Sequence, residues 1–127
     1  MMQIGLWVLQ VLLAAAFLAH GVLMLNPPAS IVEQMNASLP RWFQLFLGVA
    51  EVMASIGLTL PGLTRILPWL VSWAAGGVMI VMICATILHV TRGEISSAAT
   101  TFVLLLLASA VAYGRGIVAP IQPRHAA

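Results

Sequence analysis

The chain has 127 residues, 62% of them hydrophobic and 6% charged, with five arginines, three glutamates and no lysine. Soluble domains carry about 25% charged residues, so this composition, with a mean hydropathy of +1.10, excludes a soluble globule and places the chain in a lipid bilayer. The formal charge of +2 rests on scattered groups, without the clustered basic patch that a nucleic-acid partner requires.

Four apolar segments predict four spans, about 4–25, 42–60, 67–90 and 95–118. Each is close to the ~20 residues that cross the hydrocarbon layer as a helix. None alternates with period two, so a barrel is not expected. The expected fold is all-α, an up-down bundle of four transmembrane helices in one integral membrane domain over 1–127. The first span has an apolar core and small residues before His20, as a signal peptide does, but it lacks a basic leading region and is read as a membrane helix. Asn26-Pro27-Pro28 ends it, because proline disfavours helix at the preceding residue. In the polar connection from Ala29 to Leu39, Ile31, Val32 and Met35 share a face, which predicts a short interfacial helix between helices 1 and 2.

Pro40-Arg41-Trp42 opens the second span and Pro61-Gly62 is expected to close it. Arg65 and Pro68 flank the start of the third. Thr91-Arg92-Gly93-Glu94 reads as a tight hairpin into the fourth. Pro120 and Pro123 are expected to end the ordered part, leaving a frayed tail with His125 exposed. Trp7, Trp42 and Trp69 suit the aromatic belt of the interface, Tyr113 with Arg115 an interfacial anchor, and Trp73 the bundle interior. Cys84, the one cysteine, reads as a small buried hydrophobe and cannot form an intrachain disulfide. The amino terminus, Arg65, Arg115 and Arg124 fall on one side, and Arg41 and Arg92 with Glu33 and Glu94 on the other. The positive-inside rule then puts both termini in the cytoplasm, with the cell inner membrane as the expected location.

The polar residues inside the spans are the candidates for function. Gln44, Gly48, Glu51 and Ser55 form one stripe on the second helix, and Ser72, Gly76, Met79, Met82, Thr86 and His89 form one on the third. Small residues and hydroxyls on such stripes face protein rather than lipid. Glu51 is the only acid between Trp42 and Thr64 and lies roughly 15 Å along the helix from Arg41 at 1.5 Å per residue. A charge at that depth costs at least ~2.5 kcal/mol, which marks it as functional. His20, Glu51, His89 and Arg41 all fall in the same half of the bilayer, so a pocket opening toward Arg41 and Arg92 is expected.

Four roles fit such a pocket. Glu51 can pair with His20 or His89 and lock the bundle. Glu51 and a histidine can exchange protons with a bound quinone or another lipid-soluble redox partner. The same groups can run an acid–base isomerisation or cyclisation of a lipophilic substrate. Two imidazoles and a carboxylate can also bind a metal, or a histidine can ligate haem, although no tight ligand spacing supports either, and no residue is assigned to a metal.

Three segments then carry a family resemblance: Phe17-Leu18-Ala19-His20-Gly21-Val22-Leu23-Met24, then Leu47-Gly48-Val49-Ala50-Glu51-Val52 running to Gly57-Leu58-Thr59-Leu60-Pro61, and Met82-Ile83-Cys84-Ala85-Thr86-Ile87-Leu88-His89. The chain resembles the DoxX-like family of small four-helix membrane proteins over roughly Leu12 to Tyr113. The family's glycine in the first helix, Gly-x-x-Glu in the second and Ala-x-x-x-His in the third map onto Gly21, onto Gly48 with Glu51, and onto Ala85 with His89. Where the family carries a lysine after that first glycine, this chain has Met24. The resemblance implies association with a quinol oxidase or a thiol-redox complex. The expected function is therefore a membrane-embedded, redox-associated protein, or an oxidoreductase subunit, that binds a hydrophobic, quinone-like ligand. The alternatives are an acid–base isomerase and a non-catalytic assembly or chaperone subunit. Glu51, His89 and His20 are the expected reactive groups. Gln44, Gly48, Ser55, Met82, Thr86, Arg41 and Arg92 are the expected ligand contacts, with an arginine anchoring a polar end at the interface. A homo-oligomer or a larger membrane complex is expected, because four short helices enclose little volume.

Overall fold

A lipid environment offers no partner for a free peptide group, so each apolar run is driven to satisfy its backbone internally as a helix. The computed structural model describes residues 1–124 and contains five α-helices. Helix α1 spans Met2–Leu25, α2 Val32–Ser38, α3 Arg41–Thr64, α4 Leu70–Thr91 and α5 Ile95–Tyr113, and α5 continues into a π-helical turn, Gly114–Val118. Four of them, with the last counted through Val118, are long and apolar enough to cross a membrane. The short α2 joins α1 to α3 and has Glu33 in its first turn, where a carboxylate suits the positive end of the helix dipole.

The helix ends follow local chemistry, with one exception. After Leu25 the Asn26 N–H still bonds to Val22 O, and the two prolines stop the helix there. Gly93, at φ +73, turns the chain from α4 into α5. The exception is Pro61, which does not close the second span: α3 runs through it to Thr64 and stops at Arg65, which is left-handed at φ +60. Ending the helix at Pro61 would strip further backbone groups of partners inside the apolar layer, and continuing it leaves one carbonyl without its helical N–H. Arg65 then organises the carboxy-terminal segment. Its carbonyl accepts the Arg124 N–H at 2.9 Å, and its Nε donates to Gln122 O at 2.8 Å. Ile121 packs against the core. The chain beyond Pro120 is thus docked as far as Arg124, not frayed from Pro120 onward, and the tail prediction for His125 lies outside the described residues.

The helices pack as two antiparallel hairpins, α1 with α3 and α4 with α5, joined along α3 and α4 and, at one end, along α1 and α5. Leu13, Phe17, Leu58, Val71, Ala75, Val78, Met82, Ala108 and Val111 form the core between them. The outward faces carry large apolar side chains, among them Trp42, Phe46, Ile80 and Phe102. Such a surface is stable against lipid and not against water. Trp73 belongs to that outer surface, at 73% exposed, because it falls on the side of α4 away from Val71, Ala75 and Val78. Cys84 is likewise exposed rather than buried. Close approach of α1 and α3 depends on two glycines. A Cβ at Gly48 would sit 3.0 Å from Gly21 O, and one at Gly21 would sit 3.0 Å from Gly48 O.

Candidate functional site

The bundle is closed at the end bearing the amino terminus and hollow at the other. A cavity of about 1130 Å³ lies at the hollow end. Phe17, His20 and Met24 line it from α1, Gln44, Leu47 and Glu51 from α3, Met82, Cys84 and His89 from α4, and Thr100, Thr101 and Leu104 from α5, with α2 and the α4–α5 turn completing the wall.

Glu51 is 4% exposed, and its Oε2 lies 2.7 Å from Nδ1 of His20. The two meet because Glu51 sits three residues from Gly48, on the α3 face that Gly21 allows α1 to approach. With Glu51 ionised, Nδ1–H donates to it and the imidazole is fixed in one tautomer. Nε2 makes no hydrogen bond among the described residues, and the ring lines the cavity. The pair can therefore hold a proton on Nε2 as an imidazolium stabilised by the carboxylate, or accept one there as a neutral ring.

His89 lines the same cavity but belongs to a second pair, with Nδ1 2.5 Å from Glu94 Oε2. It sits in the last turn of α4, and the α4–α5 turn folds Glu94 back beside it. The sequence brings His20, Glu51 and His89 to one chamber, in two separate pairs. Among the described residues no three His, Cys, Asp or Glu side chains gather as a metal centre would need.

The other candidates divide between wall and frame. Met82 and Gln44 line the cavity, as does Arg92, whose Nη2 donates to Ser38 O at 3.0 Å. The Gln44 amide is already engaged, with Nε2 2.8 Å from Leu39 O and 3.1 Å from Asn36 Oδ1, so it fastens the end of α2 to α3. Arg41 donates to the Met24 and Leu25 carbonyls at 2.9 and 2.8 Å. It thereby satisfies the orphan carbonyls at the end of α1 instead of facing the chamber. Gly48 lies in the α1–α3 seam. Ser55 bonds to Val52 O within its own helix. Thr86 ties α4 to α5 through Thr101 Oγ1 at 2.8 Å.

Arg115 is a correction. An interfacial anchor was expected at the end of the fourth span, but the residue is 3% exposed. Its Nε donates to Gln10 Oε1 at 2.5 Å, its Nη1 to Gln3 Oε1 and to Ala119 O, and its guanidinium lies 5.3 Å from the centre of the Trp7 ring. The π-helical turn that follows α5 carries it inward. The sequence held a signal for this cluster: Gln3, Trp7 and Gln10 recur at i, i+4 and i+7, a stripe on a helix that is otherwise apolar up to His20. Glu94 was also missed as the partner of His89, since a hairpin residue gives no helical spacing to read.

Comparison with curated proteins and with solved structures gives no match. The sequence model of the DoxX-like family matches residues 8–111, a stretch that takes in both histidine pairs and every wall the four long helices give the cavity. The chain is an integral membrane protein of the DoxX-like family.

Proposed function

We propose that the protein binds a lipophilic, quinone-like molecule in the hollow half of the bundle and exchanges protons with it at the His20–Glu51 pair, as a redox-associated component of its membrane. The observation that carries this reading is a buried carboxylate hydrogen-bonded to an imidazole whose other nitrogen has no hydrogen-bond partner among the described residues, at the wall of a chamber large enough for a ring-bearing ligand. A quinone carbonyl accepts a hydrogen bond from Nε2–H of the imidazolium, and a quinol hydroxyl donates one to Nε2 of the neutral ring. Interconversion moves protons together with electrons. The pair serves the protons, and a partner oxidoreductase in the same membrane supplies or receives the electrons. The apolar walls suit a ligand drawn from the lipid phase. In the inner membrane the side carrying the amino terminus, Arg65 and Arg124 would face the cytoplasm, and the chamber would open toward the opposite surface.

Glu51→Gln tests this directly, because it keeps the shape and the acceptor for Nδ1–H while removing the charge that holds the imidazolium. Hydrogen bonds to charged groups contribute about 1.5–3 kcal/mol, so the dissociation constant for a decyl-tailed benzoquinone should rise roughly tenfold to a hundredfold. His20→Phe should weaken binding at least as much. Equilibrium dialysis against the purified protein in micelles, corrected for partition into empty micelles, gives the number. Equal affinity in wild type and both variants would remove the pair from ligand binding.

A further inference from the structure

Glu51 lines two cavities. The second, of about 240 Å³, lies between α3 and α4, with Ala50 and Ala54 on one side and Ala74 and Gly77 on the other. Phe17, Glu51 and Val81 belong to the walls of both. We propose that this notch is the exit for a hydrocarbon tail, so that the ligand is a single-tailed lipophile with its ring at His20–Glu51 and its chain passing between α3 and α4 into the bilayer. The inference rests on the ligand reading above and adds to it the class of molecule and the residues that select it.

Apart from Glu51, every residue lining the notch is apolar, which suits a chain and not a head group. Its rim reaches the lipid-facing surface, where Met53 is 64% exposed. The two helices touch and then part. A Cβ at Gly57 would lie only 2.9 Å from the Ala74 Cβ, whereas a Cβ at Gly77, nearly one turn further along α4, would meet nothing within 4 Å. Phe17, at 3% exposed, stands with Glu51 and Val81 between the two spaces. The far end of the main chamber is more polar, with His89, Arg92, Glu94 and Ser96 in its wall.

Gly77→Leu fills the notch from α4 and Ala50→Leu fills it from α3. Gly76→Leu is the control, since a Cβ there also meets nothing within 4 Å but the residue does not line the notch. Dialysis of a tailless benzoquinone and of its decyl-tailed homologue against each full-length variant, with thermal unfolding as the check on folding, reads out both ends of the ligand. In wild type the tailed form should bind more tightly after correction for micelle partition. Each notch variant should weaken the tailed form by about tenfold and leave the tailless form unchanged, while Gly76→Leu should alter neither. If both forms bind wild type with an affinity that depends on Glu51, yet folded Gly77→Leu and Ala50→Leu retain the tail preference, the exit is wrong and the head-group reading stands. A phospholipid chain as the natural occupant would give that same unchanged preference. Equal loss of both forms would mark the notch as part of the frame and overturn the proposal. If neither form binds wild type, or binding ignores Glu51, both readings fall together.

Discussion

Arg115 and Glu51 are both buried, at 3% and 4% exposed, and their surroundings differ at every level. Arg115 lies where four helix ends converge, and two glutamine side chains and the backbone carbonyls of Gln3 and Ala119 accept from its guanidinium. Gln10 is itself fully enclosed and donates through Nε2 to Leu58 O at 2.8 Å, so the cluster stitches α1, α3 and the chain after α5 together. Among the described residues Glu51 has one side-chain hydrogen-bond partner, His20, and it has a cavity beside it. A carboxylate can accept about four hydrogen bonds, so this end of the bundle keeps polar capacity unused while the other end uses it up. A charge that is saturated and packed is part of the frame. One that is buried, singly bonded and next to empty space is available to a ligand.

The largest way to break this contrast is to remove an acceptor at the closed end. Gln10→Leu leaves the buried guanidinium short of its Nε partner and Leu58 O without its extra bond, and should cost about 3 kcal/mol of stability. Arg115→Met should cost less, because the charge departs together with its bonds. Unfolding in mixed micelles with rising anionic detergent measures both. The reverse order would mean that the guanidinium, not the glutamines, carries the cluster. Next in size is Gly48→Ala. Its Cβ would crowd Leu25 and the Gly21 carbonyl, and the carbonyl cannot move aside as a side chain can. The expected cost is about 2 kcal/mol, and, because the seam sets the His20–Glu51 distance, ligand affinity should fall with it.

The legibility of these features in the sequence followed the length scale of the signal. Span number, up-down order and the α2 helix were readable because each is a run of like residues between prolines or a glycine turn. The stripe Gln44, Gly48, Glu51 and Ser55 was readable because helical spacing puts those residues on one face of α3, and all four do fall along its buried side. What each residue bonds to was not readable. Gln44 and Arg41 cap other helices' ends, and those ends reach them only through the fold of the α1–α3 connection. Pro61 misled because local proline chemistry was weighed without the lipid that penalises an early helix end. Arg115 misled because its position at the end of a span says nothing of the π-helical turn that rotates it inward, although Gln3 and Gln10 were waiting for it. The notch at Gly77 depends on where α3 and α4 diverge, which no single helix encodes.

Glu51→Gln sharpens the contrast from the open end. Its effect on stability should stay within about 1 kcal/mol, since the amide still accepts from His20 and a buried charge is relieved, while ligand affinity changes by orders more than the fold does. A loss of stability comparable to that of Gln10→Leu, with affinity intact, would make His20–Glu51 a second lock and erase the difference between the two ends.

The smallest expected effect concerns what closes the chamber. Helix α2 is a seven-residue element with no buried side chain, too short to hold together unaided. Gln44 fastens it to α3 from below. Among the described residues the one hydrogen bond that ties it to the α4–α5 turn runs from Arg92 to Ser38 O. Arg92→Ala should therefore change global stability by no more than about 0.5 kcal/mol, as exposed substitutions do. It should instead loosen α2 locally, raising amide hydrogen exchange there about twofold to threefold and leaving α1, α3, α4 and α5 unchanged. Such a pattern would mean that the open end has a wall held across the chamber by one surface contact, which ligand entry can break at little cost. Unchanged exchange in α2 would mean that Gln44 alone fixes that wall to α3, and that ligand traffic depends on the α3–α4 side of the bundle instead.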